Sequence, residues 1–180
     1  PTNRANLSLV GLFYVNTYFM IGTQIMPIPP PPSYVTNLVG AGQIGNIDLA
    51  TVGNGNGFAT GMEFGVNFGG EFPQTTKWRG YVSVNVGGGF DIMLINVANA
   101  HCSGSTAPVG VNGYYAMGQV YAYLNGGFGV RKYKDNGDLK NEYSLGSLQV
   151  AALLQGKLPK PSYVYGAIGI QANVLGIINF

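Results

Sequence analysis

The sequence predicts an all-β protein: a long, curved antiparallel meander sheet of about six strands, amphipathic, with glycine bulges and a proline-rich connector. Three observations predict it. Side chains alternate between two classes over unusually long stretches. Charged residues make up only 9% of the chain, against roughly a quarter in an ordinary soluble domain. Finally, 29 glycines and 10 prolines punctuate the 180 residues, which suits bends and turns between strands.

The longest alternating stretch runs from Tyr114 to Lys134. Its even positions from 116 to 130 are small or apolar, and its odd positions from 115 to 125 are tyrosine, methionine and amides. At about 3.3 Å per residue it would reach roughly 65 Å, so it needs partner strands of similar length. Stretches with the same two-faced pattern supply them: Phe58–Phe72, Trp78–Ile95, Glu142–Leu158 and Tyr163–Phe180. We expect the apolar side of this sheet to require a cover.

Local signals place the turns and bends. The Asn-Gly pair within residues 134–138 predicts a hairpin whose charged tip is solvated. The run Gly87-Gly88-Gly89 predicts a bulge or a sharp bend.

The first apolar stretch, residues 7–26, is uncharged and about long enough to cross a bilayer as a helix. Its alternation and its β-branched and aromatic residues favour a strand instead, with a membrane helix or a secretory signal as the alternatives. Residues 27–57 form a connector and an irregular loop: the prolines at 27–32 end the strand, and a short helix or turn follows near Tyr34–Val39.

The chain is expected to be a single β-module, residues 1–180, cut from a longer polypeptide, because it starts without methionine and ends in apolar residues. With so few charges, its surface is expected to be hidden against lipid, against copies of itself, or against flanking segments. The net charge of +2 is too small to indicate nucleic-acid binding.

No catalytic, metal or cofactor site is predicted, and the chain is not expected to be an enzyme. The glycines of residues 53–57 lack the strand-to-helix context of a phosphate loop. His101 and Cys102 are sequential neighbours that rarely reach each other as a catalytic pair, so Cys102 is expected to be free or paired outside this segment. A tyrosine-rich face suggests a flat or sugar ligand, although cross-strand packing explains it more simply. The acidic residues lie on separate elements: Asp48, Glu63, Glu71 and Asp91.

Several blocks resemble a segment of very large, uncharacterised surface or secreted proteins of Bacteroidota bacteria. The blocks are residues 18–32, 87–94, 101–105, 110–130 and 151–176. The resemblance implies an extracellular or cell-surface location, export by the type IX secretion system and a much longer chain. It assigns no catalytic or binding residue. Members of the group continue into a cysteine-containing tail, whereas this chain stops at Phe180.

These observations predict a structural module of a giant extracellular protein that self-assembles into a cell-surface fibre or appendage, with adhesion or cell contact as its role. Its predicted partners are copies of itself and flanking segments, without nucleic acid. The alternatives are a lipid-facing sheet, as an outer-membrane barrel or a lipid-holding trough, and a carbohydrate-binding adhesin module. Two observations speak against the lipid-facing sheet. The strands are longer than the 9–11 residues that suffice to span a bilayer, and the aromatic residues are spread along the strands.

Overall fold

The computed structural model describes residues 5–9, 11–23, 25–40, 56–73, 77–97, 100–101, 104–160, 162–175 and 178–179. Within them lies one eight-stranded antiparallel sheet whose strand order follows the chain. The strands are β1 (Ala5–Leu9), β2 (Phe13–Thr23), β3 (Asn56–Phe72), β4 (Trp78–Asn96), β5 (Tyr114–Tyr133), β6 (Leu139–Leu158), β7 (Tyr163–Val174) and β8 (Ile178–Asn179). A helix, α1 (Ser33–Val39), lies between β2 and β3 in the chain. The prediction of an all-β antiparallel meander is confirmed, and the sheet is open; the short strands β1 and β8 overlap the first and the last of the predicted strands.

The strand register keeps the two faces of the sheet distinct from β2 to β7. Phe58 pairs with Leu94, Leu94 with Ala116, and Ala116 with Leu158. Because alternate side chains of a strand point to opposite faces, these residues and every second position along their strands form what we call the outer face. The face that carries Tyr121 and Gln119 is the strap face.

The core lies between the strap face and residues 25–39, which we call the strap. Ile25 of the strap is buried against a cluster that includes Met93 and Met117. Val35, which is fully buried, packs in a second cluster with Tyr121 and Leu153. The sheet is therefore covered by its own chain on the face that carries the tyrosines.

Helix α1 confirms the short helix predicted near residues 34–39. It starts after the prolines, where the Pro32 carbonyl accepts hydrogen bonds from the amides of Val35 and Thr36 at 2.9 and 3.1 Å. It ends at Gly40, whose φ of 79° is a left-handed value that suits glycine. Residues 41–55 of the predicted irregular loop lie outside the described residues, and its predicted end at residue 57 is wrong, because Asn56 and Gly57 already pair in β3.

The single strand predicted over residues 7–26 is wrong in its extent, because the structure has a hairpin there. β1 pairs with β2, and Gly11, with a φ of 67°, lies in the turn between them. A left-handed residue cannot continue an extended strand. The predicted final strand also stops early, at Val174, because Leu175 has a φ of 54°.

Of the bulge or sharp bend predicted at Gly87-Gly88-Gly89, the bulge is wrong, because the β3–β4 and β4–β5 registers run through these residues without a shift. The glycines serve packing instead. A Cβ at Gly87 would lie 2.5 Å from the Tyr123 hydroxyl, and one at Gly89 would lie 2.7 Å from the Tyr121 hydroxyl. The irregularities fall between β5 and β6, after Phe128 and after Lys132.

The hairpin predicted from the Asn-Gly pair is confirmed. The Lys134 amide donates to the Asp138 carbonyl at 2.8 Å, and Gly137 takes a φ of 85°. Charged residues therefore gather at this end of the long strands.

Candidate functional site

The outer face carries many exposed apolar side chains. Its side chains are apolar and yet exposed: Ile168 is 77% exposed, Phe64 59%, Val120 57% and Leu154 53%. We expected the apolar side of the sheet to be the covered one. In the described part of the chain the strap lies on the opposite side, because its residues pack among the tyrosines. The outer face is thus the candidate functional site.

Charged side chains of β2–β7 are sorted almost entirely to the strap face. The register places seven of them there: Glu63, Glu71, Arg79, Asp91, Arg131, Glu142 and Lys157. Lys132 is the one charged residue that the pairing of the described strands places on the outer face. It pairs with Trp78 at the far end. We call the outer-face positions between the row of Phe58 and the row of Phe72 the apolar band; it carries no charge in the described strands.

The polar groups within the apolar band are satisfied internally. Between the two boundary rows of the band, the described strands carry two side chains that can donate a conventional hydrogen bond, Thr17 and Thr60. The Thr17 hydroxyl donates to the Gly61 carbonyl at 3.0 Å, and the Thr60 hydroxyl donates to the Tyr18 carbonyl at 3.1 Å. An occupant of this surface need supply no hydrogen-bonding group.

Aromatic residues that carry a polar group lie at the ends of the outer face. Trp78 and Tyr143 lie at one end, with their rings 5.9 Å apart and stacked. Tyr114 lies at the other end, paired with Asn96. Between the ends the described aromatic residues of the outer face are phenylalanines. The tyrosines that are spread along the sequence belong mostly to the strap face, so the structure separates two groups of aromatic residues that alternate along the chain.

Small residues form depressions between the bulky side chains of the outer face, which gives this face an uneven surface. Gly88, Ala122 and Ala152 are neighbours across β4, β5 and β6. Gly88 and Ala122 form the floor of an open groove of about 730 Å³, whose walls include Phe64 and Phe90. The groove is apolar throughout its outer-face lining, so it fits hydrocarbon or apolar side chains.

The strap face buries a hydrogen-bonded polar network. The Glu63 carboxylate accepts from the Tyr123 hydroxyl at 2.8 Å and from Asn16 Nδ2 at 3.2 Å. The Tyr123 hydroxyl also contacts that of Tyr14. Because buried carboxylates must be hydrogen-bonded to be tolerated, this arrangement supports a structural role for Glu63.

A second part of the network ties the strap to the sheet. Gln119 Nε2 donates to the Pro29 carbonyl and to the Asp91 carboxylate, each at 2.8 Å. Gln155 Nε2 in turn donates to Gln119 Oε1 at 2.9 Å. The acidic residues that the sequence leaves scattered, Glu63 and Asp91, therefore share the strap face, each with its own partners.

An ion-pair network occupies the strap face at the charged end. Arg131 donates through Nη1 to Glu71 and through Nε to Glu142, both at 2.8 Å. The hydrogen bond from Arg131 holds the pKa of the Glu142 carboxyl below its usual value. These charges are paired with one another and point away from the apolar band.

The remaining sequence candidates do not assemble into a reactive site. His101 forms an isolated bridge with Pro108. Cys102 and Asp48 lie outside the described residues, as do residues 53–55. Within the described ranges, no group of three metal-ligating side chains comes together.

Comparisons with protein-family models, with curated proteins and with solved structures gave no match. Among the residues that the structure describes, no helix has the length and hydropathy of a membrane span. The fold and the site define the class of molecule: an open antiparallel meander that covers its polar, tyrosine-rich face with its own strap, while none of the described residues outside the sheet covers its apolar face.

Proposed function

We propose that this chain is a membrane-facing β-module, whose outer face contacts lipid acyl chains while its strap face stays away from them. The observation that carries the proposal is the absence of charge from the apolar band of the described strands. A lysine or arginine at the bilayer midplane costs about 2–4 kcal/mol on the lipid-facing side of a sheet. Sorting nearly all sheet charges to the other face avoids that cost.

The height of the apolar band supports a bilayer as its surroundings. From Phe58 to Phe72 the band measures about 46 Å along β3 at 3.3 Å per residue. Strands in membranes tilt by about 45°, which reduces this height to about 33 Å, close to the roughly 30 Å of a hydrocarbon core. Long strands are therefore compatible with lipid once the band, not the whole strand, is measured.

The aromatic residues at the ends support the same proposal. From Trp78 to Asn96, the partner of Tyr114, β4 extends about 60 Å, or about 42 Å along the membrane normal at the same tilt. That value matches the 40–45 Å of a bilayer with its headgroups. Tryptophan and tyrosine are enriched at both membrane interfaces because their rings are apolar and their N–H or O–H groups need water.

A sheet in lipid must also satisfy the backbone groups of its edge strands, since each unpaired group costs several kcal/mol there. The proposal therefore requires further strands beside β1 and β8. Flanking segments of a longer chain or copies of this one would supply them, and these are the partners that the sequence predicts.

An environment-sensitive probe tests the proposal. In a Cys102→Ser background, Leu154→Cys places a nitrobenzoxadiazole label in the middle of the apolar band, and Asn136→Cys places it at the hairpin tip as the matched control. In vesicles we expect the label at position 154 to emit at shorter wavelength and to be quenched by lipids brominated on the acyl chain. The label at position 136 should behave as in water. Water-like emission from both positions in a folded, vesicle-associated protein would refute the proposal.

A second candidate is the self-assembling module of a cell-surface fibre, exported through the type IX pathway. The uneven surface of the outer face favours this second candidate, because a row of small residues between bulky ones lets a second sheet pack face to face at about 10 Å. Electron microscopy and sedimentation in detergent-free buffer distinguish the two. Ordered fibres that form without lipid support assembly, whereas a dispersed particle that forms only with detergent or lipid supports the membrane-facing module.

A further inference from the structure

The charged end of the outer face carries a compact group of three residues, Trp78, Lys132 and Tyr143, which we call the end cluster. Lys132 Nζ lies 4.7 Å from the centre of the Trp78 ring. The same ring stacks on Tyr143. Tyr143 pairs with Val130, in the last row of the apolar band, so the cluster adjoins the band directly.

Lys132 is the cation that the register places on the outer face at this end of the strands. Two neighbouring cations are engaged by carboxylates: Arg131 by Glu71 and Glu142, and Lys77 by Asp135. No ion pair is found for Lys132 within the described ranges. Its ammonium is held against an aromatic ring, which occupies one side of the group and leaves N–H donors for an anion.

We propose, resting on the membrane-facing function above, that the end cluster binds the phosphate of an anionic lipid headgroup. Lys132 supplies the ion-pair donor, and the Trp78 and Tyr143 rings hold it at the depth where phosphates lie. The adjoining apolar band contacts the acyl chains of the same lipid. Continuity with that band selects a lipid over a soluble phosphate, because a single lysine gives a free anion little affinity.

The charge of Lys132 also selects an anionic lipid over a zwitterionic one. A zwitterionic headgroup carries its own cation next to the phosphate, which competes with the lysine. One lysine near an anionic membrane surface contributes roughly a fivefold preference. The expected signature is therefore a modest but measurable enrichment of anionic lipid beside the end cluster.

The chain offers a built-in reporter, because Trp78 is its single tryptophan. The full chain is reconstituted into phosphatidylcholine vesicles that contain a low fraction of lipid brominated on the acyl chains, either phosphatidylglycerol or phosphatidylcholine. Quenching of Trp78 at equal mole fractions then gives the relative affinity of the two lipids for this position. We expect the anionic lipid to be favoured about fivefold.

Variants separate the site from general electrostatics. Lys132→Gln should lower the ratio to about one, Lys132→Arg should restore the preference, and Lys134→Gln, which removes the same charge nearby, should leave the ratio unchanged. A ratio of one in the unmodified chain, or an equal fall for both glutamine variants, would overturn the inference. If both lipids quench Trp78 equally, the membrane-facing function stands and only the inference fails. If neither quenches it, the function is contradicted as well.

Discussion

Docking of the strap on the sheet depends on Gly169, and replacing this residue by alanine is a direct test of the fold. Gly169 lies on the strap face of β7, opposite Ala151. A Cβ there would lie 2.7 Å from the Leu38 carbonyl oxygen and 2.9 Å from Leu38 C and Cβ. Two of these atoms belong to the helix backbone and cannot rotate away. The end of α1 must therefore retreat.

The size of the effect follows from that geometry. Ordinary contact starts near 3.4 Å, so the Leu38 atoms must move by about 0.5–0.7 Å. Overpacking of this kind costs about 1–3 kcal/mol. If this cost falls on the contact between α1 and the sheet, the equilibrium constant for local opening of the strap rises by roughly 5- to 150-fold. The amides of residues 33–40 should then exchange their hydrogens faster by the same factor.

Gly166→Ala on the same strand is the matched control. Its Cβ would have Leu154 Cδ1 as its nearest neighbour, at 3.6 Å, which is ordinary contact. Hydrogen exchange followed by mass spectrometry should show faster exchange at α1 in Gly169→Ala only, with the central strands β5 and β6 unchanged in both variants. Equal protection of α1 in the two variants would show that the helix does not rest on β7.

Two further predictions concern the polar contacts. Gln119→Leu removes the donors to the strap carbonyl and to a buried aspartate while keeping the side-chain volume similar, so we expect a loss of about 2–3 kcal/mol in the free energy of unfolding, measured by denaturant titration. Glu142→Gln should flatten the acid side of the stability profile. Because Arg131 lowers the pKa of the Glu142 carboxyl from its ordinary 4.5, the stabilisation from this pair is present above that value and is lost as the pH falls through the lowered pKa. Melting temperatures recorded across that range should therefore depend less on pH in the variant, and by a small amount, since the pair is partly exposed.

The sequence predicts the strands well because their alternation is long and regular. For β3 the predicted strand covers residues 58–72 and the observed one Asn56–Phe72. For β4 the predicted strand covers residues 78–95 and the observed one Trp78–Asn96. It could not predict which face is covered, since a period of two is the same whichever side meets the core. The turn at Gly11 was missed because a lone glycine in an apolar run carries little signal.

The candidate site was partly readable from the sequence. Glu63, Asp91 and Arg131 all occupy odd positions, as do the tyrosines of the strap face in β4 and β5, so sorting by parity within each strand would have shown the charge-free face. The irregularity after Phe128 shifts the parity of β6, and this places Glu142 at an even position on the strap face. That shift depends on backbone geometry and has no reliable sequence signal.

The two faces of the sheet differ in how far their side chains are buried and hydrogen-bonded within the chain. On the strap face, Glu63, Asp91 and Gln119 are hydrogen-bonded and large side chains such as Tyr121 and Met93 are buried, so that face gains little from a further partner. On the outer face, side chains such as Ile168 and Phe64 remain more than half exposed, and full burial of each contributes about 1.5–3 kcal/mol. The threonine hydroxyls of that face already donate to backbone carbonyls. The partner that we propose for this surface would therefore be apolar, extended over several strands and free of any need for hydrogen bonds from this surface. Acyl chains meet all three conditions, whereas a second protein sheet meets them only if its own facing side is equally apolar.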